Sequence, residues 1–333
     1  MKNNRPAISV LMPVYNGERF LKEAIESILL QTFTDFEFII INDGSFDNTE
    51  NIIQSYKDQR IVYIKNETNL KLIKTLNRGV MIARGKYLAR MDADDISAPN
   101  RLKLQFDYME KHPDIAAISA GTINISDKGC IKGGNTYFSC TSSLSLLYTS
   151  LFRTPLSHPA SFIKTEILKN IYYSDNEESL HIEDLVLWNS LMRHGYKLAN
   201  LKDKLLYKRL NSNSITSKYK YQQKVNKARF LTNYIGDILP SLPNIYLIKD
   251  LILSEKIETC YSVRTVIKWV CLIKKTFLSQ YSAIITPLDI LEISNMTKKI
   301  LRDYILKCGK LGNLRVKFFA FIQLIGINLS NKY

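Results

Sequence analysis

The first third of the chain alternates between short apolar runs and segments in which apolar residues recur every three or four positions. The short runs predict buried strands, and the recurring pattern predicts helices that pack one face against a sheet. Strands are predicted at 8–12, 36–41, 61–64 and 86–91, and helices at 18–31, from Asp47, at 70–83 and from Pro99 to about His112. This alternation favours an α/β fold with a mostly parallel sheet and helices on both faces.

The pattern is weaker after residue 113. A strand is predicted at 114–120, and the stretch 121–150, rich in glycine, serine and threonine, is typical of loops or hairpins. A helix follows at 181–195 and short strands at 196–201 and 204–209. From about residue 218, amphipathic segments interrupted by prolines predict a helical region. The sequence therefore predicts two domains, 1–215 and 216–333.

The net charge of +15 is concentrated near the C-terminal end of the 333 residues. Residues 1–214 hold 27 basic and 24 acidic side chains, whereas residues 215–333 hold 19 basic and 7 acidic ones. This excess is typical of a solvated basic helical domain, or of a surface for anionic lipid head groups or acidic glycan carriers. Amphipathic helices at 263–278 and 314–329 would suit contact with an anionic membrane surface, and equally a homo-oligomer interface or an acceptor-holding subdomain. Nucleic acid is not an expected partner, because no nucleic-acid-binding motif is present.

Several features favour a cytoplasmic protein. The five cysteines are scattered and form no CxxC pair, which argues against a disulfide framework or a zinc site. The N-terminus lacks the apolar segment of a signal peptide, and the apolar run 318–327 is too short to span a bilayer. We expect the cytoplasm as its location, with the inner face of the plasma membrane as a candidate docking surface.

Polar clusters follow three of the four predicted strands of the first third. They begin after Pro13, at Asn42 and at Asp92. Because ligands bind outside the carboxyl ends of parallel strands, these clusters are expected to share one edge of the sheet. Neither GxGxxG nor GxxxxGK[ST] follows the first strand, so glycine-cradled phosphates are not expected. Asp92 and Asp94, two residues apart, could instead hold Mg²⁺ or Mn²⁺, which uses few carboxylates and takes its remaining ligands from water and phosphates; the alternative is an acidic loop before the Pro99 helix.

Taken together, these clusters resemble the family 2 glycosyltransferases, which have a GT-A fold. The resemblance covers residues 7 to about 215, and no family is recognisable in the basic C-terminal region. The motifs that carry it are Ser-Val-Leu-Met-Pro-Val-Tyr-Asn-Gly at 9–17, Ile-Asn-Asp-Gly-Ser at 41–45, Gly-Lys-Tyr-Leu-Ala-Arg-Met-Asp-Ala-Asp-Asp at 85–95, Pro-Asn-Arg-Leu at 99–102, Ser-His-Pro-Ala at 157–160, Glu-Asp-Leu-Val-Leu-Trp at 183–188 and Lys-Arg-Leu-Asn at 208–211.

The resemblance implies inverting, metal-dependent transfer of a sugar from a nucleotide-diphosphate donor, usually a UDP-sugar, to a glycan or lipid-linked acceptor of a bacterial surface polysaccharide. Residues 1–112 would then bind the nucleotide and 113–215 the acceptor. Asp184 resembles the general base, with Glu183 beside it to orient or hydrogen-bond, although a carboxylate at a helix N-terminus is also favoured by the helix dipole. Asp94 resembles the main metal ligand and Asp92 a neighbour of both ribose and metal. The nucleotide-sugar pocket would be lined by Pro13, Tyr15, Asn16, Glu18, Asp43, Asn69 and Asp92.

Three further residues have competing interpretations. His158 could face the acceptor or make structural hydrogen bonds. Trp188 could stack on a sugar or lie in the core. Arg209 could pair with the donor diphosphate or simply lie on a basic strand.

The sequence departs from its relatives at informative positions. Asn211 stands where relatives often carry a histidine that binds the metal, and an asparagine oxygen suits only a hard cation. Lys71 stands where relatives often have glycine. The Gln-x-x-Arg-Trp motif of processive relatives is absent, so one sugar, a hexose or N-acetylhexosamine, is expected per encounter. The alternatives are a sugar nucleotidyltransferase, which would need a glycine-rich basic loop after the first strand, and a non-catalytic nucleotide-sugar or glycan-binding module docked on membranes.

Overall fold

The computed structural model of the protein describes residues 5–133, 140–210, 219–253 and 260–311, together with Val316, Ala320 and Gln323. Within these residues, the chain divides into two compact units. The first comprises Met1–Phe138, Leu156–Ser179 and Glu183–Lys218, and the second comprises Ser139–Pro155, Leu180–Ile182 and Tyr219–Tyr333. The division is therefore not a single cut near residue 215, because two earlier segments belong to the second unit.

The first unit begins with the predicted alternation of strands and helices. Strands β1 to β4 pair in parallel in the order β3-β2-β1-β4. These elements are β1 (Ile8–Val14), α1 (Leu21–Leu29), β2 (Phe36–Asn42), α2 (Thr49–Ser55), β3 (Ile61–Lys65), α3 (Leu72–Ile82) and β4 (Tyr87–Arg90). Every residue of β2 is buried, as expected for a strand covered on both faces, whereas β3 at the edge of the sheet is only partly buried. The predicted α/β fold class is confirmed.

The rest of the sheet is mixed. Beyond β4, the order of neighbouring strands in the sheet is β4-β7-β6-β8-β5. In this part of the sheet β6 and β8 pair in parallel, and the other neighbours pair antiparallel. The elements are β5 (Ile96–Ser97), α4 (Arg101–Lys111), β6 (Ile115–Ile125), β7 (Phe162–Lys164), α6 (Thr165–Ile171), α7 (Glu183–Arg193) and β8 (Lys197–Arg209). The two short strands predicted after residue 195 form the single strand β8, because irregular pairing with β6 carries the ladder across the polar residues between them.

The second unit is helical. It contains α5 (Ser143–Ser150), α8 (Lys220–Ile238), α9 (Leu247–Leu253), α10 (Cys260–Gln280) and α11 (Pro287–Leu311). The buried carboxylate of Glu292 fixes the start of α5 to α11 by accepting hydrogen bonds from Thr141 N at 2.9 Å, Thr141 Oγ1 at 2.7 Å and Ser145 Oγ at 2.6 Å. Such an acceptor satisfies backbone N–H groups that a helix start leaves unpaired. The segment 121–150, predicted as loop, thus contains the end of β6 and the helix α5.

The apolar face of α10 forms part of the core of the second unit. Val263, Val266, Val270, Ile273 and Phe277 are each at most 1% exposed. The amphipathic segment predicted at 263–278 therefore has its apolar stripe covered by protein, which leaves the stripe unavailable to a membrane. Of the predicted helix at 314–329, only Val316, Ala320 and Gln323 lie among the described residues. In all the residues that the structure describes, no helix is both long and apolar enough to cross a bilayer.

Candidate functional site

The site lies at the carboxyl edge of the parallel strands in the first unit. Val14 at the end of β1 is paired with Asn42 at the end of β2, and Leu11 of β1 with Arg90 at the end of β4. The three loops that follow these strands therefore leave the sheet side by side. The polar residues that follow Pro13, Asn42 and Arg90 are brought to one edge, as the strand pattern predicts.

Side chains and backbone groups hold the loops after β1 and β2 together. Asn16 Oδ1 accepts a hydrogen bond from Phe46 N at 3.1 Å. The backbone N of Glu18 donates to Asp47 Oδ2 at 3.0 Å, and Glu18 Oε2 accepts from Asn48 N at 3.0 Å. Asn16 and Glu18, both predicted to line the nucleotide pocket, thus help to fix the shape of the loop.

The loops after β1 and β2 leave the aromatic side chains of Tyr15 and Phe46 open to solvent. Tyr15 is 46% exposed, and its ring lies edge-on to that of Phe46, with centroids 6.1 Å apart. An exposed aromatic ring beside a rigid polar loop offers a face on which a nucleobase can stack. The pair could therefore bind the base of a nucleotide.

Asp43 connects the loop after β2 to the loop after β3. Its Oδ1 accepts hydrogen bonds from Asn66 Nδ2 at 2.7 Å and from Leu70 N at 2.8 Å. Gly44 is required next to it, because its φ is +70° and an added Cβ would lie 2.8 Å from the carbonyl carbon of Thr68. Asp43 is buried and therefore shapes the floor of the site.

Asn69 stabilises an unusual backbone conformation at the start of α3. Its Oδ1 accepts a hydrogen bond from Lys71 N at 2.9 Å, and Lys71 has a φ of +72°. Left-handed φ values favour glycine, which gives a physical reason for the glycine of relatives at this position. Asn69 thus shapes the loop that Asp43 also contacts.

Three carboxylates cluster in the loop after β4. One oxygen from each of Asp92, Asp94 and Asp95 lies within 4.8 Å of the others. Burial raises the pKa of Asp94 to about 6, and the charge of Asp92 adds to this shift. Burial, together with the charges of Asp92 and Asp94, also raises the pKa of Asp95 well above its ordinary value.

The cluster fits a hard divalent cation. Oδ2 of Asp95 is buried without a hydrogen-bond partner, and all ligand atoms on offer are carboxylate oxygens, which Mg²⁺ and Mn²⁺ prefer. The buried Arg90 offsets part of the negative charge, since its Nη1 lies 2.5 Å from Asp92 Oδ2. Asn211, the predicted additional ligand, lies outside the described residues.

Arg209, at the end of β8, stabilises the carboxylate loop by hydrogen bonds to Asp94 and Asp95. Its backbone N donates to Asp95 Oδ1 at 2.8 Å, and its Nε donates to the carbonyl oxygen of Asp94 at 2.9 Å. Nη1 donates to the carbonyl oxygens of Ser126 and Asp127, and Nη2 to Glu23 Oε2 at 2.7 Å. Each of its side-chain nitrogens therefore has a protein acceptor, and the side chain is fully buried.

The predicted contact of Arg209 with the donor diphosphate does not agree with this placement. A guanidinium supplies donors in a planar fork, and here the fork is committed to backbone carbonyls and to Glu23. The sequence identified Arg209 as a candidate residue but did not predict that it stabilises the loop. Its acceptors Glu23, Asp94 and Ser126 are distant from it along the chain.

We expect Arg209→Lys to loosen the carboxylate loop. A lysine keeps the charge but cannot reach these acceptors together, so the melting temperature should fall by a few degrees and Mn²⁺ affinity by about tenfold. Titration calorimetry with Mn²⁺ and thermal melting measure both effects. Arg19→Lys is the matched control, because the Arg19 side chain is 62% exposed and pairs with Asp127 at the surface rather than with the carboxylate loop. Equal losses in the two variants would contradict the role of Arg209.

Two more carboxylates stand at the first turn of α7. Burial raises the pKa of Glu183 to about 7, and the charge of Asp184 adds to this shift, with a smaller addition from Asp92. Asp184 Oδ1 accepts a hydrogen bond from Leu185 N at 2.7 Å. The contribution of Asp92 to this shift places the start of α7 within electrostatic range of the carboxylate cluster.

The raised pKa of Glu183 predicts a pH-dependent effect on stability. The folded protein retains a proton on Glu183 up to about pH 7, whereas the unfolded chain releases it near 4.5, so ionisation destabilises the fold as pH rises between these values. In metal-free protein, Glu183→Gln should therefore raise the melting temperature at about pH 8 and have little effect at about pH 4. Glu67→Gln, at an exposed site, should have no effect at either pH. A Glu183→Gln effect that is equal at both pH values would contradict the shift.

His158 and Trp188 are placed as core residues. Nε2 of His158 lies 2.8 Å from the hydroxyl of Tyr173, and burial lowers the pKa of His158 well below its ordinary value. Trp188 is fully buried, with its ring edge-on to His158 at 6.1 Å. The predicted stacking of Trp188 on a sugar does not agree with this burial, and the hydrogen bond of His158 corresponds to its structural interpretation.

The pattern of the sequence missed three residues that shape the site. They are Asn66, Arg90 and Tyr173. Asn66 follows β3 at the same edge and Arg90 interrupts an apolar strand, so both gave a local signal. Tyr173 gave none, because its neighbours His158 and Glu183 are brought to it by the fold.

Comparisons with known proteins agree with this geometry. Residues 9–169 match the family model described as glycosyl transferase family 2. The chain is 37% identical over 226 residues to an uncharacterized glycosyltransferase of Methanocaldococcus jannaschii, which covers 66% of this chain and 77% of that protein.

Solved structures with a similar fold include two proteins in complex with nucleotide sugars. Residues 1–349 of TarS of S. aureus, in complex with UDP-GlcNAc, match with a TM-score of 0.56 at 18% identity, covering 96% of this chain and 88% of that one. The mannosyltransferase PcManGT of Pyrobaculum calidifontis, in complex with GDP-Man and Mn²⁺, has a TM-score of 0.54 at 14% identity, covering 96% of this chain and 87% of that one. At these identities the likeness shows the fold.

Proposed function

This chain belongs to glycosyl transferase family 2, and we propose that it transfers a single sugar, with inversion, from a nucleotide-diphosphate sugar to a glycan or lipid-linked acceptor. The observation that carries the proposal is the pair of acidic groups, Asp92, Asp94 and Asp95 in the β4 loop and Glu183 with Asp184 in α7, which lie within electrostatic range of each other. One set can bind a donor through a cation and the other can deprotonate an acceptor.

The donor side is assigned to the loops after β1, β2 and β4. Tyr15 provides an exposed ring for the base, and Asp43 with Asn69 sets the shape of the loops beneath it. UDP is the favoured nucleotide, since TarS, which shares the fold, binds UDP-GlcNAc. Asp92 and Asp94 would hold Mn²⁺ or Mg²⁺, and that cation would supply a positive charge for the diphosphate leaving group.

Asp184 is assigned as the general base. The proton of the acceptor hydroxyl passes to its carboxylate as the acceptor oxygen attacks the anomeric carbon from the face opposite the diphosphate. The new C–O bond forms while the bond to the diphosphate breaks, which inverts the configuration. Glu183, whose pKa is about 7, can hold a proton beside Asp184 and so limits the repulsion between the two carboxylates.

The biological setting follows from the resemblance of the motifs. We assign the protein to the cytoplasmic synthesis of a bacterial surface polysaccharide such as a capsule or lipopolysaccharide, with a hexose or N-acetylhexosamine as the sugar. The absence of the Gln-x-x-Arg-Trp motif from the whole sequence supports addition of one sugar at each encounter.

A donor screen tests the proposal. A nucleotide that binds the folded but not the unfolded protein raises the free energy of unfolding by about 2.7 kcal/mol when its free concentration is about a hundred times Kd. We expect UDP and UDP-sugars to raise the melting temperature, and to do so more strongly with Mn²⁺ than with a chelator. If no nucleoside diphosphate or its sugar raises the melting temperature in Mn²⁺, the proposal is wrong.

A further inference from the structure

The exposed side of α11 carries apolar and basic residues in one line. Leu288, Leu291 and Leu306 are 52%, 58% and 46% exposed. Half-buried Lys298 follows Leu291 by seven residues, and exposed Arg302 lies four residues after Lys298 and four before Leu306. These spacings of three, four and seven residues place all five on one helix face. We call these five residues the α11 stripe.

The carboxylates of α11 do not neutralise this stripe. Asp289 and Glu292 are buried and accept hydrogen bonds from the segment before α5. Asp303 is paired with Arg153 at 3.1 Å. In the part of the chain that the structure describes, no carboxylate lies within ion-pair distance of Lys298 or Arg302.

Other cations of the second unit add to the positive charge near the stripe. Burial lowers the pKa of Lys274 on α10, and the charge of Lys298 contributes to this shift. Burial and the charge of Arg153 lower the pKa of Lys299, and the charge of Arg302 adds to it. Cations that interact unfavourably with one another provide a site for an anionic surface.

We propose that the α11 stripe docks the protein on a bilayer that contains anionic lipids. The leucines can enter the boundary between head groups and acyl chains, and the cations can contact phosphates beside them. Exposed leucines on both sides of the two cations favour a bilayer over a soluble polyanion, which would bind the charges but gain nothing from the apolar side chains. This inference goes beyond the proposed transfer reaction and does not depend on it.

Vesicle flotation with the full chain tests the inference. The wild type is expected to float with vesicles of phosphatidylcholine and phosphatidylglycerol, and much less with phosphatidylcholine alone. Leu288→Ser with Leu291→Ser, and separately Lys298→Glu with Arg302→Glu, should each weaken the partition by about tenfold or more. Leu30→Ser, at a residue of the first unit that is 74% exposed, and Lys111→Glu, at an exposed lysine of that unit, are matched controls that should float like the wild type.

Three results would overturn the inference. One is a wild type that does not float with the anionic vesicles, and another is flotation that neither pair of substitutions weakens. The third is a wild-type oligomer, seen by light scattering, that the leucine substitutions convert to monomers without changing flotation, since the stripe would then bind a second copy of the chain. UDP binding by each variant serves to confirm that it is folded. If the wild type does not bind UDP, that result contradicts the proposed function and leaves the test by flotation unaffected.

Discussion

Asp184→Asn is expected to lower the rate of sugar transfer by about a thousandfold, because an amide cannot accept the proton of the acceptor hydroxyl. Asparagine has nearly the same shape as aspartate and can still accept the hydrogen bond from Leu185 N. Donor affinity should stay within about twofold, since the donor is assigned to the loops after β1, β2 and β4. The substitution therefore separates chemistry from binding.

Release of UDP in the presence of acceptor measures the rate, and calorimetry measures donor binding. Asp175→Asn is the matched control, because Asp175 is an exposed carboxylate eight residues before Glu183 in the same unit. Glu183→Gln should retain more activity than Asp184→Asn, since Glu183 is assigned only to support the base. Normal transfer by Asp184→Asn would refute the assignment of the base.

Asp94→Asn is expected to weaken donor binding in Mn²⁺ by about a hundredfold. The substitution removes a ligand oxygen and one negative charge from the cluster of Asp92, Asp94 and Asp95. In metal-free protein the same change should be neutral or stabilising, because burial and the charge of Asp92 already raise the pKa of Asp94 to about 6. The two effects have opposite signs, so general damage to the fold cannot imitate them.

The comparison needs melting curves with Mn²⁺ and with a chelator, together with donor titrations in both conditions. Mn²⁺ should raise the melting temperature of the wild type and have little effect on Asp94→Asn. Asp35→Asn, at an exposed residue before β2, should respond to Mn²⁺ like the wild type. If Asp94→Asn binds donor normally in Mn²⁺, the carboxylate cluster is not the metal site.

The position of the site at the carboxyl edge of the sheet could be predicted because it depends on local patterns. Each strand from β1 to β4 is a short apolar run, and parallel pairing brings the polar residues after Val14, Asn42 and Arg90 to one edge. The apolar pattern also predicted a helix at 181–195, where α7 (Glu183–Arg193) lies, whereas Glu183 and Asp184 were identified by the resemblance to the family. No long-range information was needed for these features.

The roles of Arg209 and Trp188 could not be predicted, because both depend on contacts between distant segments. Arg209 donates hydrogen bonds to residues that precede it by 82 to 186 positions. A sequence shows that a basic residue follows an apolar strand, but not that four carbonyl or carboxylate groups converge on it. Trp188 occupies a helix position that is compatible with either a core or an exposed face, and only the packing against His158 decides between them.

Amphipathic pattern alone also could not identify the helix that we propose to dock on a bilayer. The apolar stripe at 263–278 is regular, and for that reason it packs well against the rest of the second unit. The α11 stripe is irregular, with cations between its leucines, which makes it a poor core face. A surface helix is thus better recognised by the mixture of residues on its exposed side than by the strength of its apolar side.

Because α5 precedes much of the first unit along the chain but belongs to the second unit, no single truncation point separates the two units. A shortened protein that ends after Lys218 would keep α5 but lose Glu292, and it would open Leu146 and Tyr148 to water. Recombination between relatives at that point would join an α5 from one parent to an α11 from another. Exchanges that retain function should therefore carry residues 139–155 together with the C-terminal helices.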